Sequence, residues 1–192
     1  MAIDLILAST SPYRRQLLER LGVPFRCRAP LVDEEQLKDK RPPRELAEYL
    51  AEAKAHSLSA VEPNATIIGG DQLLACDDQV FGKPGSIEGA IAQLQCLRGR
   101  SHQLITALCV CHVGKTIKHL DVTRLTMRPL TDIEIRRYVE ADKPIDCAGA
   151  YKLEQRGITL FESIQSDDQS AIVGMPLIAL TSILRQLGYA VP

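Results

Sequence analysis

Ile3-Asp4-Leu5-Ile6-Leu7-Ala8-Ser9-Thr10-Ser11-Pro12-Tyr13-Arg14-Arg15 sets the architecture. The apolar run Ile3 to Ala8 has the length of a strand, and Ser11 followed by Pro12 is an N-cap with proline at the first helical position. The reading is strand, turn, helix. That helix carries Leu17, Leu18 and Leu21 on one face and stops at Gly22-Val23-Pro24. A second helix follows Pro42-Pro43, with Leu46, Tyr49, Leu50 and Ala53 at helical spacing. Thr66-Ile67-Ile68 then enters a strand through Gly69-Gly70-Asp71-Gln72 to Leu73-Leu74, its glycines permitting close backbone approach where a carboxylate appears.

The same alternation continues. Asp77-Asp78-Gln79 reads as a turn, Gly82-Lys83-Pro84-Gly85 as a loop and Ile87 to Leu97 as a helix. Leu104 to Val113 is apolar at nearly every position, as in a central strand covered on both faces, and Gly114-Lys115 turns it into a partner over Ile117 to Met127. Thr131-Asp132-Ile133-Glu134 has capping-box spacing and opens another helix. A loop around Pro144 to Glu154, a strand Ile158 to Phe161, a polar stretch Gln165 to Ser170 and a last helix Pro176 to Leu187 complete the chain. The polar stretch reads as a solvated loop or as the border of a cleft. Interleaved strands and helices indicate an α/β fold. With no linker, repeat or low-complexity segment, residues 1–192 are expected to form one domain with a cleft.

Composition narrows the function. The chain has 192 residues, 23 Lys+Arg against 24 Asp+Glu, 45% apolar and 4% aromatic residues. A formal charge of −1 provides no long-range field to gather nucleic acid or an acidic membrane surface, so any anion must be held locally. No apolar stretch approaches the roughly 18 residues of a membrane span, and the apolar start lacks an export signal's basic region, so a cytoplasmic protein is expected. The six cysteines, at 27, 76, 96, 109, 111 and 147, lack Cys-x-x-Cys spacing and read as reduced, buried, small hydrophobes.

Three segments could carry chemistry. Arg14 and Arg15 lie in the first turn of a helix, where the macrodipole disfavours each by a few tenths to about 1 kcal/mol. Hydroxyls, free backbone N–H groups and two guanidiniums converging after a strand would offset that cost by binding a phosphate chain. Asp71 stands at the carboxyl end of a strand, where open α/β sheets bind ligands. Lys83 follows in a stiff Gly-Lys-Pro loop. An acid, a lysine and two arginines form a minimum set for metal-assisted phosphoryl chemistry. Gly114-Lys115-Thr116 imitates the end of a P-loop, but Cys109 stands where the leading glycine belongs. The four histidines have no metal-ligand spacing, and there is no nucleophile elbow or dinucleotide fingerprint.

Taken together, the chain resembles the Maf nucleoside triphosphate pyrophosphatases. The resemblance rests on Leu7 to Arg15, Val32-Asp33-Glu34, Ala53-Lys54-Ala55, Gly70-Asp71-Gln72, Gly82-Lys83-Pro84, Cys147 to Glu154 and Ile172 to Leu177, in order and at matching spacing. It implies a mixed sheet with flanking helices and a deep active-site cleft, a divalent cation (Mg²⁺ or Mn²⁺), a homodimer, and cleavage of a nucleoside triphosphate to monophosphate and diphosphate. It also implies that Asp71, Glu34 and Lys83 are catalytic, with Asp71 and Glu34 towards the metal, and that Ser9, Arg14, Arg15 and Lys54 face phosphate. Whether Asp71 takes the proton of the attacking water or ligates the metal stays open.

Three positions set base selectivity within that family, here Tyr13, Gln72 and Glu154. They resemble the YceF-like branch, which acts on 7-methyl-GTP, rather than the branches for dTTP and UTP. N7-methylation makes guanine cationic, so the face of Tyr13 could attract it by about 0.5 to 2 kcal/mol. Glu154 can accept from guanine N1–H and the exocyclic amine, whereas uracil or thymine offers one imide donor. Where that branch carries Trp, this chain has the smaller Tyr13, which weakens stacking without reversing the argument. The alternatives are a dTTP, UTP or pseudouridine triphosphate pyrophosphatase, and a non-catalytic nucleotide-binding regulator of cell division.

Overall fold

In chain order the elements of the computed structural model are β1 (Leu5–Ala8), α1 (Pro12–Glu19), β2 (Arg26–Arg28), α2 (Glu34–Leu37), α3 (Pro43–Ser59), β3 (Thr66–Cys76), β4 (Gln79–Phe81), α4 (Ile87–Leu97), β5 (Ser101–His112), β6 (Lys115–Met127), α5 (Asp132–Asp142), β7 (Phe161–Gln165), α6 (Gln169–Val173) and α7 (Leu177–Gln186). The structure describes residues 4–37, 39–77 and 79–191, so Ile3 and Asp78, expected in a strand and a turn, lie outside the described residues. Two compact units emerge. One holds the chain up to residue 71, residues 106–121 and the chain from 168; the other holds residues 72–105 and 122–167.

In the first unit, β1 pairs in parallel with β2 on one side and β3 on the other, with Leu7 opposite Cys27 and Ile68. β5 lies beyond β3, and β6 beyond β5. Its core joins Leu5 and Leu7 of β1 to Leu17 and Leu18 of α1 and to Leu180 and Leu184 of α7. In the second unit, β4 runs antiparallel to β3, with Leu74 opposite Phe81, and β7 antiparallel to β6, with Leu125 opposite Ile164. The expected α/β fold with a mixed sheet and flanking helices is therefore present. Among the described residues, no helix is long and apolar enough to cross a membrane.

Local chemistry explains most elements. Ser11 accepts the Arg14 N–H and Pro12 opens α1. Thr131 and Glu134 complete the capping box of α5. On α3 the buried face is Leu46, Ala47, Leu50, Ala51, Lys54, Ala55 and Leu58, whereas Tyr49 and Ala53 are half-buried. The expected stripe is thus rotated, and Arg41 lies 3.7 Å over the Tyr49 ring. Ala51 and Ala55 face β3 because Gly69 lets the helix come close: a Cβ there would sit 2.2 Å from the Ala51 carbonyl oxygen.

Elsewhere the structure departs from the sequence reading. Residues expected as a strand from Ile158 form a 3-10 turn, Arg156–Leu160, before β7. The N–H groups of Gln155 and Gly157 both donate to the Lys152 carbonyl at 3.0 Å, which curls the chain away from an extended path. The polar stretch ends in a buried staple. Asp168 accepts from the N–H of Ser170 with one oxygen and of Ile178 with the other, each at 2.8 Å, and Ser170 Oγ accepts the Leu177 N–H. One carboxylate thus anchors the starts of α6 and α7. Cys76, Cys109 and Cys111 are buried as expected, but Cys27 and Cys96 are exposed and Cys147 is half-buried.

The second unit buries His102 against Tyr151 and Phe161, with Nε2 at 3.2 Å from the Tyr151 hydroxyl and Nδ1 without a hydrogen-bond partner among the described residues. Burial pushes the His102 pKa down to about 4. An unfolded chain with histidine near ~6.5 takes up a proton that the folded chain refuses, so this stability is full above about pH 6.5 and is lost as pH falls towards the folded value. Urea midpoints should therefore drop between pH 7 and about pH 4.5 in the native protein, and His102→Phe should flatten that dependence. An undiminished slope in the variant would contradict this account. Gly69→Ala should cost about 1 to 3 kcal/mol in the same titration at pH 7, because helix α3 must retreat from the sheet. A variant as stable as the native protein would show that the close approach carries no constraint.

Candidate active site

The carboxyl end of β1 lies beside the middle of β3, since the two strands run parallel with Leu7 opposite Ile68 and β3 runs on to Cys76. Asp71, expected at the carboxyl end of its strand, therefore stands in mid-strand, level with the turn that follows the shorter β1. β1 stops at Ala8 and hands the chain to Ser9, while β3 continues through Gly70 and Asp71. The pleat sends alternate residues to opposite faces. Gly69 and Asp71 therefore share the face covered by α3, and Gly70 presents the other, where a Cβ would lie 3.4 Å from Arg14 Nε.

On the α3 face, Lys54 is buried where an apolar residue would otherwise stand. Its ammonium lies 2.7 Å from Asp71 Oδ1 and 2.9 Å from Glu34 Oε2. A charge in such a place must be paired, because stripping water from an unpaired ammonium costs several kcal/mol. Asp71 is itself buried. Its second oxygen, Oδ2, is enclosed with no hydrogen-bond partner among the described residues. Glu34 is less enclosed, its side chain 45% exposed at the start of α2.

Arg14 reaches the same region from α1. Its Nε donates to the Gly174 carbonyl at 3.0 Å, and Nη1 lies 3.5 Å from Ser9 Oγ, which also accepts the Ser11 N–H at 3.1 Å. Burial lowers the guanidinium's pKa, and the negative charges of Asp71 and Glu34 oppose that shift. The cost of a cation at a helix N-terminus is thus met by two carboxylates and a backbone carbonyl.

The first unit therefore brings together Ser9, Arg14, Glu34, Lys54 and Asp71. Arg15 is not among them: it is exposed and pairs with Glu19 at 3.0 Å, because consecutive helical residues point about 100° apart. Lys54, expected to face phosphate, bridges two carboxylates with two of its three donors. Tyr13 is half-buried. In the second unit, Gln72 is half-buried on β3, Lys83 is exposed in the loop after β4, and Glu154 is exposed in the turn before β7. Gln93 of α4 anchors the lysine loop by donating to the Gly82 carbonyl at 3.0 Å. The roles of Gly174 and Gln93 went unread in the sequence, the first because it acts through its backbone and the second because a glutamine on a helix face carries no signal.

Two carboxylates and two cations beside the carboxyl end of β1 can hold a polyphosphate with a hard cation. The family model of Maf-like proteins matches residues 4–187. The 7-methyl-GTP pyrophosphatase of Bdellovibrio bacteriovorus is 50% identical over 182 residues, covering 94% of this chain and 95% of that protein. The 7-methyl-GTP pyrophosphatase of Aromatoleum aromaticum is 45% identical over 190 residues, covering 98% and 97%. Among solved structures, the Ham1 protein of Staphylococcus aureus aligns with a TM-score of 0.55 at 14% identity over 96% of this chain and 99% of that one, a likeness of fold. Matched by the family model over residues 4–187 and 45 to 50% identical to these relatives over nearly its whole length, the chain belongs to the Maf family.

Proposed function

We propose that this protein is a nucleoside triphosphate pyrophosphatase that hydrolyses 7-methyl-GTP to 7-methyl-GMP and diphosphate, keeping a modified nucleotide out of nucleic acids. The observation that carries the reading is Asp71 Oδ2, a buried oxygen without a hydrogen-bond partner among the described residues, whose sister oxygen is fixed by Lys54. A carboxylate with a purely structural task would have both oxygens satisfied. Names of the relatives at 50% and 45% identity support the substrate. Four crossings between the two units, after residues 71, 105, 121 and 167, support treating residues 1–192 as one domain. The same reading makes the protein a cytoplasmic homodimer acting on a free nucleotide, with neither nucleic acid nor membrane as partner.

Asp71 Oδ2 and the second oxygen of Glu34 are hard donors of the kind that Mg²⁺ or Mn²⁺ takes alongside water and phosphate oxygens, so these residues fit a divalent cation. When bound, such a cation supplies neutralisation of phosphate charge. Asp71 orients the water that attacks the α-phosphorus and accepts its proton at Oδ2, or it ligates the cation through that atom. Lys54 holds Asp71 and Glu34 in register. Ser9 and Arg14 donate to phosphate oxygens, and Arg15 exchanges its weak, exposed pair with Glu19 for the same anion. Lys83 neutralises the departing diphosphate. Tyr13, Gln72 and Glu154 read the base.

Purified protein with Mg²⁺ or Mn²⁺ should release diphosphate from 7-methyl-GTP faster than from UTP, dTTP or GTP, and a chelator should stop it. No release from any canonical or methylated triphosphate would refute the proposal. Asp71→Asn should lower kcat by about 10²- to 10⁴-fold while nucleotide still binds, as measured by calorimetry. Full turnover in that variant would move the water-activating group elsewhere.

A further inference from the structure

Glu154 is exposed, yet the turn that carries it is tied on both sides to one helix. The Lys152 N–H donates to the Tyr138 hydroxyl at 2.8 Å. Two residues beyond Glu154, the Arg156 N–H donates to Asp142 Oδ2 at 3.0 Å and its guanidinium to Oδ1 at 2.9 Å. Tyr138 and Asp142 are four residues apart on α5, hence on one face, and Glu154 sits midway between their backbone partners. Within the turn, Gln155 and Gly157 both donate to the Lys152 carbonyl, and a Cβ at Gly157 would lie 2.5 Å from that oxygen. Upstream, Gly149, at φ +79°, packs where a Cβ would meet Leu74 Cδ1 at 2.2 Å, and the buried Tyr151 hydroxyl meets His102.

The Asp142 side chain is fully buried, although the Arg156 side chain it serves is 68% exposed. Sequestering a carboxylate and a phenol to bind two N–H groups of a surface turn is costly, since water would satisfy those groups at no such expense. Burial raises the Tyr138 pKa, and the charges of Asp142 and Glu154 push the same way, which places Glu154 within electrostatic reach of the phenol. What this arrangement secures is the position of the one acidic side chain between the two anchors.

We infer that Tyr138 and Asp142 are positioning residues for base selection, a clamp on α5 that holds Glu154 where it can accept from the guanine edge. The inference rests on the reading of Glu154 as the base-recognising acid. A carboxylate accepting two donors at once discriminates only if its turn does not drift, because an acceptor displaced by about 1 Å loses most of its directional advantage.

The test measures kcat and KM for 7-methyl-GTP and for UTP on the native protein, Tyr138→Phe, Asp142→Asn, Glu154→Gln and the Tyr138→Phe/Glu154→Gln double variant. The ratio of kcat/KM for the two nucleotides, taken on one sample, is independent of the fraction folded. Tyr138→Phe and Asp142→Asn should each lower that ratio about three- to tenfold, mainly through a higher KM for 7-methyl-GTP. In the Glu154→Gln background, Tyr138→Phe should change it by less than about twofold. The inference is overturned if Glu154→Gln collapses the ratio while the two clamp variants leave it unchanged or slow both substrates equally, or if the double variant is additive. A ratio untouched by Glu154→Gln instead overturns the base-recognition reading, and the clamp's role falls with it.

Discussion

Everything in the first unit is arranged around one buried cation. Lys54 stands on the core face of α3, and its ammonium is tolerated there because Asp71 and Glu34 meet it at 2.7 and 2.9 Å. Removing one partner of such a pair typically costs about 3 to 5 kcal/mol, so each of the three side chains constrains the other two. The constraint propagates into the backbone: the helix must lie close enough for the lysine to reach, and Gly69 removes the side chain that would prevent it. Arg14 then balances the charge, giving two cations and two carboxylates. A site already this close to neutral would need little reorganisation to receive a polyanion together with a cation.

The second unit solves a different problem by similar means. Glu154 is exposed, and the backbone on either side of it is fixed, with Tyr138 and Asp142 supplying acceptors from a single helix face. In both units the segment that carries a candidate site carboxylate is held by neighbouring side chains. Rigidity is the common output, whether the tie is an ion pair or a hydrogen bond to a turn.

Much of this was legible in the sequence where spacing or a motif carried it. Ser11-Pro12 announced α1, the capping box announced α5, and Gly69-Gly70-Asp71 announced both a close approach and an acid. The 3-10 turn before β7 was hidden because Gly157 folds the chain through a long reach back to Lys152, which periodicity does not record. β4 was hidden by its three-residue length. The two carboxylates that meet Lys54 are not legible in the sequence, since a helix position shows which side it faces and not what lies opposite. Asp168 resembled a solvated loop residue for the same reason: its partners, the N–H groups at 170 and 178, are backbone atoms common to every residue.

The contact between Arg14 and the Gly174 carbonyl joins residues 160 positions apart, and β1 shares its core with α7, the last helix of the chain. During synthesis β1 therefore waits for α7 before its apolar face is covered. Arg14 acquires its orientation only once Gly174, 160 residues later, has been made. Such distant closure favours slow, all-at-once folding and leaves a chain that stops short of α7 with the apolar face of β1 uncovered. A partly made copy thus exposes an aggregation-prone surface instead of a half-working enzyme.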